Sequence, residues 1–194
     1  MSRVAREVVE AVVLALIVFL VIQTGVRNFK VEGASMKPTL ESGQYLLVNK
    51  LVYFQLDPVR LAQVIPFWSV DESSERIALR PPQRGEVIVF HYPRDITKDF
   101  VKRVIGLPGE KISVEGGDVF INGVLLNEPY LTSRDRSSEN ERTLGDNEYY
   151  VMGDNRNGSN DSRNWGPVSG DLVLGKVWFV YWPFSKLQVV GGFP

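Results

Sequence analysis

Hydrophobic residues crowd the start of the chain and then change their rhythm. From 11 to 22 they are uninterrupted, and the looser stretch 8–26 interposes only Glu10, Gln23, Thr24 and Gly25. That matches the ~20 residues a helix needs to cross a bilayer. Arg3 and Arg6 precede the run, and Arg27, Asn28, Phe29 and Lys30 follow it as an interfacial exit. A cleaved secretory signal has a similar basic flank, but no small-x-small cleavage site follows, which favours a retained anchor. Basic residues on both flanks leave its orientation open.

Beyond residue 30 the helical period gives way to short runs of Val, Ile, Phe and Tyr between Gly, Pro and Asn. The pattern predicts strands over 45–49, 86–92, 100–105, 111–114, 118–121, 124–126, 148–152 and 176–182. Asn122-Gly123 falls between two of them and signals a type I′ hairpin turn. Residues 131–146 are polar and charged and read as a surface excursion. Residues 57–82 hold four prolines and no clear period, as a long connection does. The expected fold class is mainly β: a tip and single transmembrane helix over 1–28, then a β-rich domain over 29–194.

Composition narrows the chemistry. A chain of 194 residues with 44% hydrophobic residues is long enough for one well-buried domain. Its 22 basic and 23 acidic residues give no electrostatic footprint for nucleic acid. Cysteine is absent, which excludes disulfides, a thiol nucleophile and thiolate metal ligands. The one histidine, His91, ends a strand-like run, where a satisfied hydrogen bond explains it. A metal site built on several histidines is impossible, and a hydrolase here needs a base other than histidine.

Three segments carry the candidate chemistry. Gly33-Ala34-Ser35-Met36-Lys37-Pro38-Thr39-Leu40 forms a bend just past the apolar run; such a bend is ordinarily a turn, but it can also expose a serine hydroxyl to a substrate carbonyl. In Phe100-Val101-Lys102-Arg103-Val104-Ile105, strand alternation puts Lys102 on the face of Phe100 and Val104. Desolvation there lowers an ammonium's pKa and makes the amine a base; the bland alternative is a pair of exposed strand cations. Arg103 is bracketed by Val101 and Ile105, and a guanidinium cannot be deprotonated. The third segment runs from Gly153-Asp154-Asn155-Arg156 through Ser159, Asp161, Ser162 and Arg163. Its composition suits a turn, and its spacing fails a calcium loop, with Arg156, Gly158 and Trp165 at ligand positions counted from Asp154. Two Asn-x-Ser sequons, at Asn157 and Asn160, matter only in a eukaryotic secretory lumen.

In this order along the chain, the three segments resemble the boxes of type I signal peptidase, a family of serine-lysine proteases. The resemblance covers nearly everything after the apolar run. It implies an antiparallel, barrel-like catalytic domain on the extracytoplasmic face of the cell membrane, held by one span. It implies Ser35 as nucleophile and Lys102 as general base, with Ser159 hydrogen-bonded to the lysine amine. Asp161 and Arg163 form an ion pair that holds the loop, and Asp154 helps order it. Phe29, Val31, Met36, Leu40, Phe100 and Val101 line shallow apolar pockets for the small residues before the cut. The substrates are signal-peptide-bearing preproteins, the lipid bilayer is a partner, nucleic acid is not, and neither cofactor nor metal is needed. Many members carry serine or threonine two residues before the nucleophile as an oxyanion donor. That position is Gly33 here, which leaves the Ser35 N–H as the main donor. Self-cleaving repressor-type proteases share a Ser-Met box and a lysine base, but they follow a DNA-binding helical domain rather than an apolar helix. A membrane-tethered β binding module, or an inactive relative, is the alternative of another class.

Overall fold

A computed structural model of the chain describes residues 3–53, 55–56, 77–78 and 80–192. The apolar run forms helix α1 (Arg3–Gly25), 23 residues long, whose first turns carry Arg3, Arg6, Glu7 and Glu10 in i,i+4 ion pairs. Among the described residues no helix is long and apolar enough to cross a membrane, so the fold supplies a helix where a bilayer span was expected, and no more than that.

The chain passes from α1 directly into β1 (Val26–Lys30), a strand that the polarity of Arg27, Asn28 and Lys30 hides in the sequence. It is an edge strand paired with β2 (Tyr45–Asn49), and such a strand leaves most of its side chains in solvent. The segment from 57 to 76 lies outside the described residues. At its base β3 (Gln55–Leu56) and β4 (Ile77–Ala78) pair antiparallel. Then come β5 (Val87–Tyr92) and a long β6 (Asp95–Gly106) that carries Lys102. Next are β7 (Lys111–Glu115), β8 (Asp118–Ile121) and β9 (Val124–Leu125). The turn between β8 and β9 places Asn122 at φ 51° and Gly123 at φ 80°, the left-handed values that a two-residue hairpin requires. The excursion contains β10 (Glu139–Thr143), which pairs with β7, so it is not wholly irregular as its composition suggested. The chain ends through β11 (Glu148–Met152), the four-residue helix α2 (Ser162–Trp165), β12 (Val168–Ser169), β13 (Val173–Trp182) and β14 (Gln188–Val189).

Every ladder among the described residues is antiparallel. The large sheet runs β1-β2-β13-β5-β6-β11-β12 with β14 on β13, and a four-stranded sheet runs β10-β7-β8-β9. Pairing among the described residues thus follows an open path rather than the closed ring that a barrel requires. One face of the large sheet buries Val31, Met36, Leu40, Leu46, Val48, Val87, Val89 and Val177. Tyr53, Ile88, Phe90, Val104, Tyr149 and Val151 form another cluster, and Ile105, Tyr150 and Met152 join the smaller sheet in a third. β6 supplies Ile105 and Val104 to two of these clusters, packs Val101 against the other, and also carries Lys102.

Candidate functional site

The serine bend is held by its neighbours in the chain. Val31 and Gln44 pin its ends through a 2.8 Å backbone hydrogen bond, and Leu40 N–H donates to the Met36 carbonyl at 2.9 Å. Met36 and Leu40 are 1% and 0% exposed in the core, where each side chain contributes about 2–3 kcal/mol of hydrophobic burial. These two residues therefore pack beneath the bend as anchors instead of lining a pocket as the resemblance implied. With Met36 turned inward, Ser35 beside it stays half-exposed.

Across from it, the Lys102 amine lies 2.8 Å from Ser35 Oγ and donates to the Val101 carbonyl at 3.0 Å. The Phe100 ring centroid is 5.2 Å away, as alternation along β6 predicts. Lys102 is 4% exposed, and burial pulls its pKa down to about 8, against the opposing pull of the Asp161 and Asp154 carboxylates. About a tenth of the amine is then neutral at pH 7 and half of it at pH 8, and a neutral amine can accept a hydroxyl proton.

Arg103 is fully buried, not an exposed strand cation. It clamps Asp154 with two hydrogen bonds of 2.8 and 2.6 Å, donates to the Gly85 carbonyl at 2.6 Å, and reaches Thr39 Oγ1 at 3.3 Å. Thr39 in turn donates to Asp154 at 2.5 Å. One guanidinium thus ties the serine bend, the lysine strand and the third segment together. Its Cζ lies 4.2 Å from the centroid of the Tyr130 ring, whose hydroxyl donates to Glu128 at 2.6 Å, and Glu128 pairs with buried Arg156. Glu128, Tyr130 and Arg156 gave no usable signal in the sequence. Arg103 did, because a cation bracketed by Val101 and Ile105 on a buried strand needs a carboxylate partner.

The third segment is organised by Asp161. Its carboxylate takes two 2.8 Å hydrogen bonds from Arg163, caps α2 through Arg163 N–H, and accepts the Gly153 N–H at 3.0 Å. Burial pushes the Asp161 pKa up, but the Arg163 bonds outweigh it and the group sits below the usual carboxylate range. Arg163 is also held by Asp135 at 2.5 Å, so the excursion buttresses the loop, a role its sequence did not suggest. Ser159 is not bonded to the lysine as the resemblance implied. Its hydroxyl lies outside hydrogen-bonding geometry with any described group, although it is near enough to Asp161 to favour that carboxylate's charged form. Gly153 is required by proximity: a Cβ there would overlap Ser159 Oγ and the Ser35 carbonyl oxygen.

A cleft of about 610 Å³ opens between two strand edges, lined on one side by residues from Phe29 to Ser35 and on the other by Lys98, Asp99, Phe100, Val101 and Lys102. Phe29, Val31, Phe100 and Val101 from the expected set are here, joined by Leu46 and Val89. The dyad sits in its wall. Compared with known proteins, residues 5–182 match the family model described as signal peptidase, peptidase S26. The chain belongs to the signal peptidase family. A signal peptidase I of Bacillus caldolyticus is 37% identical over 82% of this chain and 81% of its own length. A probable signal peptidase I-2 of Synechocystis sp. is 32% identical over 95% of this chain and 75% of its own. Among solved structures, a signal peptidase I from Enterococcus faecalis V583 is 34% identical, covers 50% of this chain and 97% of its own, and has a TM-score of 0.44. The signal peptidase family is thus established over most of the chain, while the roles of individual residues rest on the geometry.

Proposed function

We propose that the chain is a membrane-anchored serine endopeptidase that removes N-terminal signal peptides from exported preproteins. The observation that carries this reading is the buried Lys102 amine 2.8 Å from Ser35 Oγ in the wall of an extended, apolar cleft. Neutral Lys102 takes the Ser35 proton as Oγ attacks the carbonyl after a small-x-small motif. The tetrahedral oxyanion is met by the Ser35 N–H, and the collapsing intermediate releases the new amine terminus, protonated by Lys102. Water then attacks the acyl-enzyme with the same lysine as base, restoring both residues. Asp154 and Arg103 hold the two catalytic segments in register, and Asp161 and Arg163 hold the loop beneath them. The substrate lies extended beside β6 as an added strand, with side-chain pockets reading alternate residues.

Membrane attachment belongs to the same proposal. The run 11–22 is wholly apolar, and among the described residues α1 leaves Val8, Val12, Leu14, Leu16 and Phe19 exposed. A surface of that kind is more stable in lipid than in water. A single pass would leave the catalytic domain on the extracytoplasmic face. Trp178, Trp182 and Phe184 are also exposed, at 54, 46 and 71%, and would rest against lipid. Phe67-Trp68, a further aromatic pair that the sequence offers for lipid contact, lies outside the described residues.

The test is cleavage of a preprotein by the full chain in detergent, alongside Ser35→Ala and Lys102→Ala. Wild type should cut once after the small-x-small motif and both variants should lose at least three orders of magnitude in kcat. Equal cleavage by all three, or none by wild type, rejects the reading in favour of a binding module or an inactive relative.

A further inference from the structure

We propose that Asn155 is a positioning residue for the oxyanion hole: its side-chain amide fixes the plane of the Ala34–Ser35 peptide and thereby aims the Ser35 N–H. The proposal deepens the protease reading and rests on it.

The Ala34 carbonyl and the Ser35 N–H belong to one planar trans unit and point in opposite directions. Whatever grips the oxygen therefore sets the direction of the N–H. Asn155 Nδ2 donates to the Ala34 carbonyl at 3.1 Å, across 121 residues of sequence. That oxygen can only accept, so the amide must present its NH2 group to it. The Asn155 backbone N–H donates to the next carbonyl, that of Ser35, at 3.0 Å. Consecutive peptides on both sides of the nucleophile are thus held by one residue. Lys37 N–H adds a longer bond, 3.2 Å, to the Ala34 oxygen, while among the described residues the Ser35 N–H itself donates to no group. A donor on the carbonyl also polarises the peptide and strengthens its N–H as a donor in turn.

The need for such a grip comes from the other side of Ser35. Gly33, at φ 89° and with open space where a Cβ would stand, offers neither a hydroxyl nor a steric restraint on the following peptide. The third segment is shaped to supply what is missing. Gly158 N–H donates to the Asn155 carbonyl at 3.0 Å, and a Cβ at 158 would stand 2.7 Å from Asn155 Nδ2, so glycine leaves room for the amide.

Asn155→Ala and the near-isosteric Asn155→Leu both remove the amide donor and keep the backbone bond to Ser35. Both should lower kcat on a preprotein by about 10- to 100-fold, less than the 10²–10³ for losing an oxyanion donor outright. KM should stay within about threefold, and the acid limb of kcat/KM should not move, because the lysine is untouched. Binding of a substrate-derived peptide aldehyde, whose adduct oxygen mimics the oxyanion, should weaken in parallel with kcat. Gly158→Ala should act in the same direction by crowding the amide. If either folded Asn155 variant keeps kcat within twofold, the proposal is wrong. It is equally wrong if the loss appears as a shifted acid limb, or in KM alone. An inactive wild type or an active Ser35→Ala would instead reject the protease reading, and the proposal with it.

Discussion

Replacing Lys102 by methionine should abolish activity and yet stabilise the protein at neutral pH. The amine's pKa falls from 10.5 to about 8 on folding, a drop of roughly 2.5 units at 1.36 kcal/mol each. The sign follows from proton counting. Between pH 8 and 10.5 the unfolded chain binds this proton and the folded protein does not, so wild-type stability rises with pH there. Below pH 8 both states are protonated, and the folded protein carries the whole cost of a buried charge, about 3 kcal/mol. Methionine fills a similar volume without a charge, although it forfeits the bonds to Ser35 Oγ and the Val101 carbonyl, worth about 1 kcal/mol each. That loss does not depend on pH in this range. The difference in unfolding free energy, variant minus wild type, should therefore fall by about 2.5 kcal/mol between pH 7 and pH 10, from roughly 1 kcal/mol in the variant's favour to roughly 1 kcal/mol against it. Urea unfolding of both proteins in detergent reads it directly: at an m-value of about 2 kcal/mol/M, the variant's midpoint should drop relative to wild type by roughly 1 M, from above it at pH 7 to below it at pH 10. A difference, variant minus wild type, that is flat with pH or rises with it would refute the claim that burial lowers this amine's pKa.

Three further expectations concern the same machinery. The acid limb of kcat/KM should turn near pH 8, since only neutral Lys102 is productive; with that pKa the rate at pH 6 should be about 50-fold below that at pH 8, measured on a preprotein whose own ionisation is flat there. Arg103→Ala strands the buried Asp154 carboxylate and should destabilise the fold by about 3–5 kcal/mol, whereas the double variant with Asp154→Ala should recover part of that in a denaturation cycle. Gly153→Ala drives a methyl group into the Ser35 carbonyl and Ser159, and should cost at least 100-fold in kcat while the circular dichroism spectrum is retained. Retained activity would mean that the serine bend is more pliable than its contacts indicate.

Much of this was legible in the sequence, for reasons that differ between elements. β2, β8 and β11 match their expected bounds because apolar alternation and turn residues agree there. β1 was missed because an edge strand buries little and so lacks the pattern. The proximity of Ser35 and Lys102 could be anticipated by eliminating other bases and by the resemblance, but not by spacing, since 67 residues separate them. Asp154 and Arg163 looked like turn residues, and only packing reveals which cation meets which carboxylate. Asp135 illustrates the limit most clearly: a polar stretch gives no sign of where its backbone will return, and this one returns to the arginine beneath the active loop.

The cleft between β1 and β6 has a consequence for self-association. An open strand edge normally invites a second copy of the same protein, whose own free edge then recruits a third. Here the residues from Phe29 to Ser35 and from Lys98 to Lys102 face each other across one gap. A chain that enters it is walled on both flanks and offers no fresh edge to a further copy. On the proposed reading the slot would be a template of fixed capacity, open to a single extended peptide and closed to sheet growth, and the charges of Lys98 and Asp99 in its lining would discourage another edge from approaching.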